Sequence, residues 1–201
     1  RGDQHLQPTP DMSYRFVPRP TGTRARPVVI GAGPCGLFAA LILAQMGLRP
    51  IILERGKLVR ERTKDTWGLW RRSVLNPESN VQFGEGGAGT FSDGKLYSQV
   101  RDPEYRARKV LTEFVKAGAP EEILYVSRPH IGTFRLVTMV EQMRASIEAL
   151  GGEYRFQSKV TDLDIDTAPD GARRLRGVVL EDGTHIATDQ LVLAIGHSAR
   201  D

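Results

Sequence analysis

A glycine-spaced turn near the start of the chain has the residue types and spacing for binding a diphosphate. Gly31, Gly33 and Gly36 follow the apolar run 27–30 in a G-x-G-x-x-G pattern. The first glycine permits a tight turn, the second lets the backbone approach a pyrophosphate, and the third lets the next helix pack close to the strands. The diphosphate then lies at the positive N-terminus of that helix. The pattern predicts a dinucleotide site at 31–36, with Pro34 and Cys35 included.

An acidic residue in the right place strengthens this prediction. Glu54 follows Gly36 by eighteen residues and ends the apolar run 50–53. There its carboxylate can accept hydrogen bonds from the ribose hydroxyls of an adenosine. A carboxylate would repel a 2'-phosphate, so the residue argues against NADP at this site. Arg55, the next residue, belongs to the same predicted cofactor-binding set.

A second glycine-rich segment, 83–97, contains a stretch at 89–96 that comes close to the phosphate-binding loop of nucleotide hydrolases. Gly89, Gly94 and Lys95 fit the spacing of that loop, but Leu96 stands where a serine or threonine would hold magnesium. The upstream residues are also polar, whereas a phosphate-binding loop directly follows a buried strand. We therefore predict that this segment is neither a nucleotide-hydrolysing site nor a metal site.

The pattern around the first turn predicts a βαβ unit. Apolar runs at 28–30 and 50–53 indicate parallel, adjacent strands, and the apolar stretch 34–46 between them indicates a helix that Gly47 ends. Further helices are predicted around 59–73 and over 136–150. A third is predicted to start with Asp102 as its cap and Pro103 at its first helical position. The remainder predicts short strands at 152–157, 159–166, 174–182 and 184–196.

Composition sets broad limits on function. The chain has 201 residues, a net charge of +4 and one cysteine, Cys35. A single cysteine excludes an internal disulfide framework. The positive charge permits contact with an anionic cofactor or a nucleic acid without requiring either. No apolar run reaches the length of a membrane span, so we expect no membrane contact. With a single cysteine and no visible signal peptide, we expect a cytoplasmic location.

The first residues have a different character from the rest. Residues 1–26 are rich in proline and in arginine, namely Arg15, Arg19, Arg24 and Arg26, and have no periodic apolar face. This composition favours an extended linker or arm ahead of a domain at 27–201. Because the chain begins at Arg1, we expect it to be a segment of a longer protein.

Four stretches carry a resemblance to a known family: 28–56, 75–96, 117–133 and 191–201. In these the chain closely resembles FAD-dependent dehydrogenases of the FAD/NAD(P)-binding, glutathione-reductase-like oxidoreductase superfamily. The resemblance implies a two-layered α/β, Rossmann-like domain with a central parallel sheet and a β-meander crossover at 158–188. It also implies FAD as the cofactor, and it implies that the domain at 27–201 is incomplete, with its C-terminal part and the substrate domain missing.

The resemblance further implies which residues meet the cofactor. The second flavoprotein fingerprint falls on Ala194, Ile195 and Gly196. The glycine-rich segment would pass close to the flavin through Gly86, Gly87, Gly89 and Thr90, with Gly87 at the opposite end of the cofactor from Gly33. Val160 would offer its backbone to the adenine.

The sequence assigns no catalytic residue. His130 and His197 could titrate beside the flavin, although structural hydrogen bonding is the more common role for such histidines. Phe134 stands where the family commonly has an acidic residue, which puts a charge-dependent role there in doubt.

The function predicted from these features is the FAD-binding part of a flavin-dependent oxidoreductase. Its partners would be FAD, NAD(P)H as a candidate electron donor, and a small-molecule substrate. Two alternatives remain open: a flavoprotein that modifies or binds RNA, and an NAD-binding regulatory module without flavin. The first lacks a basic stripe interleaved with aromatic residues, so nucleic acid is not the expected partner.

Overall fold

The computed structural model describes residues 8–18, 21 and 25–200. Along the chain the strands and helices are β1 (Val28–Ile30), α1 (Pro34–Gln45), β2 (Ile51–Leu53), α2 (Val59–Arg72), α3 (Arg106–Lys116), α4 (Thr133–Ala149), β3 (Glu153–Arg155), β4 (Val160–Thr167), β5 (Arg173–Leu180), β6 (His185–Ala187) and β7 (Leu191–Leu193). Short 3-10 helices occur at Ala88–Phe91, Glu121–Leu124 and Gly196–Arg200.

A four-stranded parallel sheet in the order β3-β2-β1-β7 forms the centre of the fold. The predicted βαβ unit is confirmed, since Val28 pairs with Ile51 and Ile30 with Leu53. Gly47 follows α1 with a φ of +75°, the left-handed conformation predicted for the residue that ends this helix.

Both faces of the sheet are covered. Side chains alternate along each strand, so Val29 and Ile52 pack against α1 and α4. Val28 and Ile51 point the other way and pack against Val178 of the meander. The prediction of two layers is therefore wrong, because the meander forms a third layer over strands that are apolar on both faces.

The β-meander itself is confirmed. Strands β4, β5 and β6 form a separate three-stranded antiparallel sheet. The predicted strand segment 184–196 divides between the two sheets, because β6 pairs with β5 while β7 returns to pair with β1.

The helices α2 and α4 lie where the pattern predicts them, and Leu150 after α4 is exposed rather than part of the buried face. The start of α3 differs from the prediction. The helix begins at Arg106, and the Asp102 carboxylate accepts hydrogen bonds from the backbone N–H of Arg106 and Ala107 at 2.9 and 2.7 Å. Tyr105, which lies between Asp102 and Arg106, has a φ of +54° and is not helical, so Pro103 lies outside the helix.

The predicted arm is partly described. Residues 8–18 form no helix or strand, whereas Arg19 and Arg24 lie outside the described residues. Arg26 donates hydrogen bonds to the carbonyl of Arg49 at 2.8 Å and to the Glu153 carboxylate at 2.5 Å, so the end of the arm is bonded to the edge of the sheet. Among the described residues, no helix is both long and apolar enough to cross a bilayer.

Candidate cofactor site

A cavity of about 950 Å³ lies at the carboxyl ends of β1, β2 and β7. Ligands of open α/β sheets bind at this edge, and the volume is in the range of small-molecule sites. Most of the predicted cofactor-binding residues line it, namely Gly31, Gly33, Pro34, Cys35, Glu54, Arg55, Gly87, Gly89, Val160, Ala194, Ile195 and Gly196. Gly36, Gly86 and Thr90 do not.

The first turn can be built only with glycine at two positions. A Cβ on Gly36 would lie 1.8 Å from the carbonyl oxygen of Gly31, and one on Gly31 would lie 2.5 Å from that of Ala194. Gly31 also has a φ of +98°, a conformation that residues with a side chain rarely adopt. These glycines therefore set the close packing of α1 on β1 and β7.

Gly33 differs from its two neighbours in the motif. A Cβ there would meet nothing closer than the Cα of Gly87 at 3.8 Å, and its φ of −73° suits any residue. The fold alone therefore does not require glycine at this position. The space beside Gly33 belongs to the cavity, as expected where a ligand needs close approach to the backbone.

The N-terminus of α1 is suited to binding an anionic ligand. Gly33 is the N-cap and supplies no side-chain hydrogen bond, and Pro34 is the first helical residue. The N–H groups of a first helical turn have no partner inside the helix and carry partial positive charge. The exposed residue Cys35 lies in this turn. The donor set therefore fits the diphosphate of a dinucleotide.

Glu54 stabilises the first turn by hydrogen bonds and also lines the cavity. The residue is 4% exposed, and its carboxylate accepts hydrogen bonds from the backbone N–H of Ala32 at 2.7 Å and of Gly56 at 2.8 Å. Each carboxylate oxygen has a second lone pair, so the residue can still accept a hydroxyl group. Its contact with a ribose remains a prediction.

The glycine-rich segment folds back onto the first turn. The N–H of Gly86 donates to the carbonyl of Ala32 at 2.8 Å. A Cβ on Gly87 would lie 3.1 Å from the Cα of Gly33 and 2.9 Å from Cδ of Pro34. The prediction that Gly33 and Gly87 lie at opposite ends of the cofactor is therefore wrong, because the two backbones are in contact.

Two predicted residues of this segment lie behind the cavity wall. Thr90 is 2% exposed, and its Oγ1 accepts a hydrogen bond from Nη1 of Arg62 at 3.2 Å. A Cβ on Gly86 would lie 2.2 Å from that same hydroxyl. These residues therefore shape the loop from inside, while Gly87 and Gly89 face the cavity.

A buried arginine that sequence reasoning missed supports the loop. Arg62 of α2 is 0% exposed and donates to the carbonyls of Asn80, Val81 and Glu85 at 2.6–2.7 Å. Burial lowers its pKa to about 10, and Glu54 and Glu85 oppose this effect. Helical spacing in the sequence could have indicated the burial of Arg62, because it shares one face of α2 with Val59 and Thr66.

Glu85 joins the loop to two helices. It is fully buried, and its carboxylate accepts hydrogen bonds from the N–H of Val59 at 2.8 Å and from Nε of Arg144 at 2.7 Å. Val59 begins α2, so the carboxylate lies at the positive end of that helix. Burial raises the pKa of Glu85, and these two partners oppose the rise.

The second fingerprint closes the cavity from the β7 side. The N–H of Ala194 donates to the carbonyl of Ile30 at 2.9 Å, which places 194–196 beside the first turn. Val160 lines the cavity at the start of β4, next to Ser158 and Lys159. Its contact with an adenine remains a prediction.

The two histidines are separated. His197 is exposed and lines the cavity, whereas His130 forms an isolated β-bridge with Lys95 away from the lining. Phe134 is 95% exposed at the start of α4. Catalytic roles for the histidines remain untested.

The near-match to a phosphate-binding loop has a different structure. Nζ of Lys95 pairs with Asp93 at 3.0 Å, and the N–H of Leu96 donates to the carbonyl of Pro129 at 2.9 Å. The segment is thus extended at Lys95, where a phosphate-binding loop would lead into a helix. Within the described part of the chain, no group of three or more histidine, cysteine or acidic side chains is arranged to hold a metal.

Comparison with known proteins decides which dinucleotide the site takes. Residues 24–78 match the family model described as an FAD binding domain. FAD is the cofactor of this chain. The match covers β1, α1, β2 and α2, the part of the fold that carries the first turn and Glu54.

The chain also has similar proteins over most of its length. An uncharacterised protein of Clostridium beijerinckii is 51% identical over 178 residues, which are 89% of this chain and 32% of that protein. The chain thus spans about a third of the length of this curated relative.

Solved structures with the same fold are more distant in sequence. Thermovibrio ammonificans THI4 is 20% identical with a TM-score of 0.57, over 87% of this chain and 58% of that one. A 3-ketosteroid dehydrogenase from Rhodococcus jostii is 16% identical with a TM-score of 0.50, and the match covers 84% of this chain and 45% of that one. The fold is that of an FAD/NAD(P)-binding domain. The RNA and NAD-regulatory alternatives gain no support from these comparisons.

Proposed function

We propose that the chain is the FAD-binding part of a flavin-dependent oxidoreductase of the dehydrogenase type. The observation that carries this proposal is the single cavity in which the first turn, Glu54, the glycine-rich segment and residues 194–196 come together. These segments are far apart in sequence. Their convergence at one sheet edge supports an extended dinucleotide site, and the match to an FAD binding domain supports flavin chemistry.

Bound FAD would supply hydride and electron transfer, which protein side chains cannot perform alone. The protein residues have a simpler task in this proposal. The N-terminus of α1 binds the diphosphate, Glu54 accepts the ribose hydroxyls, and the backbone at Val160 meets the adenine. Gly87, Gly89 and Gly196 have no side chain that would obstruct the rest of the cofactor, and Ala194 and Ile195 line the same cavity.

Reduced nicotinamide is the electron donor that we propose to test first. The full-length protein should be mixed anaerobically with NADH or NADPH while the absorbance of oxidised flavin is followed. Bleaching by either donor supports the oxidoreductase function. A flavin that neither donor reduces would remove NAD(P)H from the proposal and leave a small-molecule substrate as the direct reductant.

Glu54→Ala is expected to weaken FAD binding by about 1.5–3 kcal/mol, because a charge-assisted acceptor for the ribose is lost. The backbone N–H groups of Ala32 and Gly56 would lose their acceptor as well. We therefore expect the apoprotein to lose about 1–3 kcal/mol of unfolding free energy. Glu61→Ala, an exposed change on α2, is the control. Unchanged FAD affinity in a folded Glu54→Ala protein would contradict the assigned role.

A further inference from the structure

Three charged side chains form a connected set beside the cavity, and two of them line it. Glu78 accepts hydrogen bonds from Nε of Arg55 and from Nζ of Lys159, the latter at 3.2 Å. We call Arg55, Glu78 and Lys159 the charged bar. Arg55 follows β2, Lys159 precedes β4, and Glu78 lies in the loop after α2, so the bar joins three separate parts of the fold.

The three members differ in their relation to the cavity. Arg55 and Lys159 line it, whereas Glu78 is not among the lining residues. Arg55 also donates to Oγ of Ser198 at 3.2 Å, and its guanidinium lies 4.5 Å from the ring centre of Phe83. Both of these partners line the cavity too. Arg55 therefore spans from the end of β2 to the turn after β7.

Glu78 is the fixed member of the bar. The side chain of Asn76 accepts hydrogen bonds from the N–H of Glu78 at 3.1 Å and of Ser79 at 3.2 Å. The buried Arg62 holds the carbonyl of Asn80 at 2.7 Å. The loop is thus anchored on both sides of Glu78. The long side chains of Arg55 and Lys159 have many rotamers, so they need such an anchor to stay across the cavity.

The bar is charged and half-buried. Its side chains are 29–35% exposed. The hydrogen bond from Arg55 is the main reason that the pKa of Glu78 lies below its ordinary value, so the carboxylate is ionised at neutral pH. Ion pairs with this exposure are weakened by salt, which gives the bar a measurable signature.

We propose that Glu78 is a positioning residue that holds Arg55 and Lys159 across one end of the cavity and thereby slows the release of bound FAD. The inference rests on FAD binding and concerns a residue that does not itself meet the cofactor. The competing explanation is that the two cations bind the FAD diphosphate directly. Glu78 would then compete with the cofactor for them, and its removal would tighten binding.

The direction of the change in Glu78→Gln separates these explanations. Flavin fluorescence can be used to follow FAD release from the full-length protein after dilution into a flavin-free solution. We expect release from Glu78→Gln to be roughly three- to tenfold faster, the scale of one or two partly exposed ion pairs. Added salt should speed release from the parent protein and have little effect on the variant.

The chain offers a matched control. Glu181 pairs with the same Lys159 ammonium at 3.0 Å but does not line the cavity. Glu181→Gln therefore removes one ion pair of Lys159 without removing the bar, and FAD release should keep the parental rate. Lys159→Gln breaks the bar from its other side and should speed release as Glu78→Gln does.

Two failures of the experiment have different meanings. A parent protein without FAD would overturn the FAD-binding account as a whole. A parent protein that holds FAD, with release from folded Glu78→Gln as slow as or slower than the parental rate, would overturn the charged bar alone. Circular dichroism on each variant shows whether it is folded.

Discussion

Gly33→Val is expected to abolish FAD binding while the apoprotein remains folded. The backbone at Gly33 has an extended conformation that valine accepts, and a Cβ there would meet only the Cα of Gly87 at 3.8 Å. The added side chain would occupy the cavity where the diphosphate needs close approach. Overpacking of this kind costs about 3 kcal/mol, which is more than about a hundredfold in Kd.

The control for this change is Gly36→Ala. Its Cβ would lie 1.8 Å from the carbonyl oxygen of Gly31, so the turn itself must open. We expect the apoprotein of Gly36→Ala to be destabilised, unlike that of Gly33→Val. Bound flavin and circular dichroism should be measured on both. A folded Gly33→Val protein with parental FAD content would show that the diphosphate lies elsewhere.

Arg62→Met is expected to lower the unfolding free energy of the apoprotein by about 3–5 kcal/mol. The change removes the donor for the carbonyls of Asn80, Val81 and Glu85, none of which gains another partner from methionine. FAD affinity should fall as well, because residues 81–84 and 87–89 line the cavity and lose their support.

Urea unfolding of the apoprotein measures the effect of Arg62→Met on stability. Lys64→Met on the same helix is the control, since Lys64 is exposed and a surface change of this kind is expected to stay within about 0.5 kcal/mol. If the two variants have the same unfolding midpoint, the loop is held by contacts other than those of Arg62.

The parts of the fold that the sequence predicts are those determined by neighbouring residues. The turn at Gly31, Gly33 and Gly36 and the apolar strands on either side of α1 are local patterns, and the structure has them in the predicted places. The buried face of α4 follows from helical periodicity and the strands after it from alternating periodicity, whereas their arrangement as a meander was implied by the family resemblance.

The parts that the sequence does not predict depend on contacts between distant segments. The contact of Gly87 with Gly33 lies beside a hydrogen bond between Gly86 and Ala32, and no spacing rule indicates either. Arg62 acts by donating to backbone carbonyl groups. Every residue has such a carbonyl, so the sequence does not indicate which ones it bonds. Pro103 fits the first position of a helix, yet the carboxylate of Asp102 reaches past it to cap a later turn.

The flavin released from the purified full-length protein shows whether the cavity at the sheet edge holds one FAD. Denaturation of the protein, followed by chromatographic identification and quantification of the released cofactor, gives its identity and its ratio to protein. We expect FAD in a ratio of about one per chain, as for a single dinucleotide site. A protein that releases no flavin after growth and reconstitution with excess FAD, or that releases NAD instead, would contradict it.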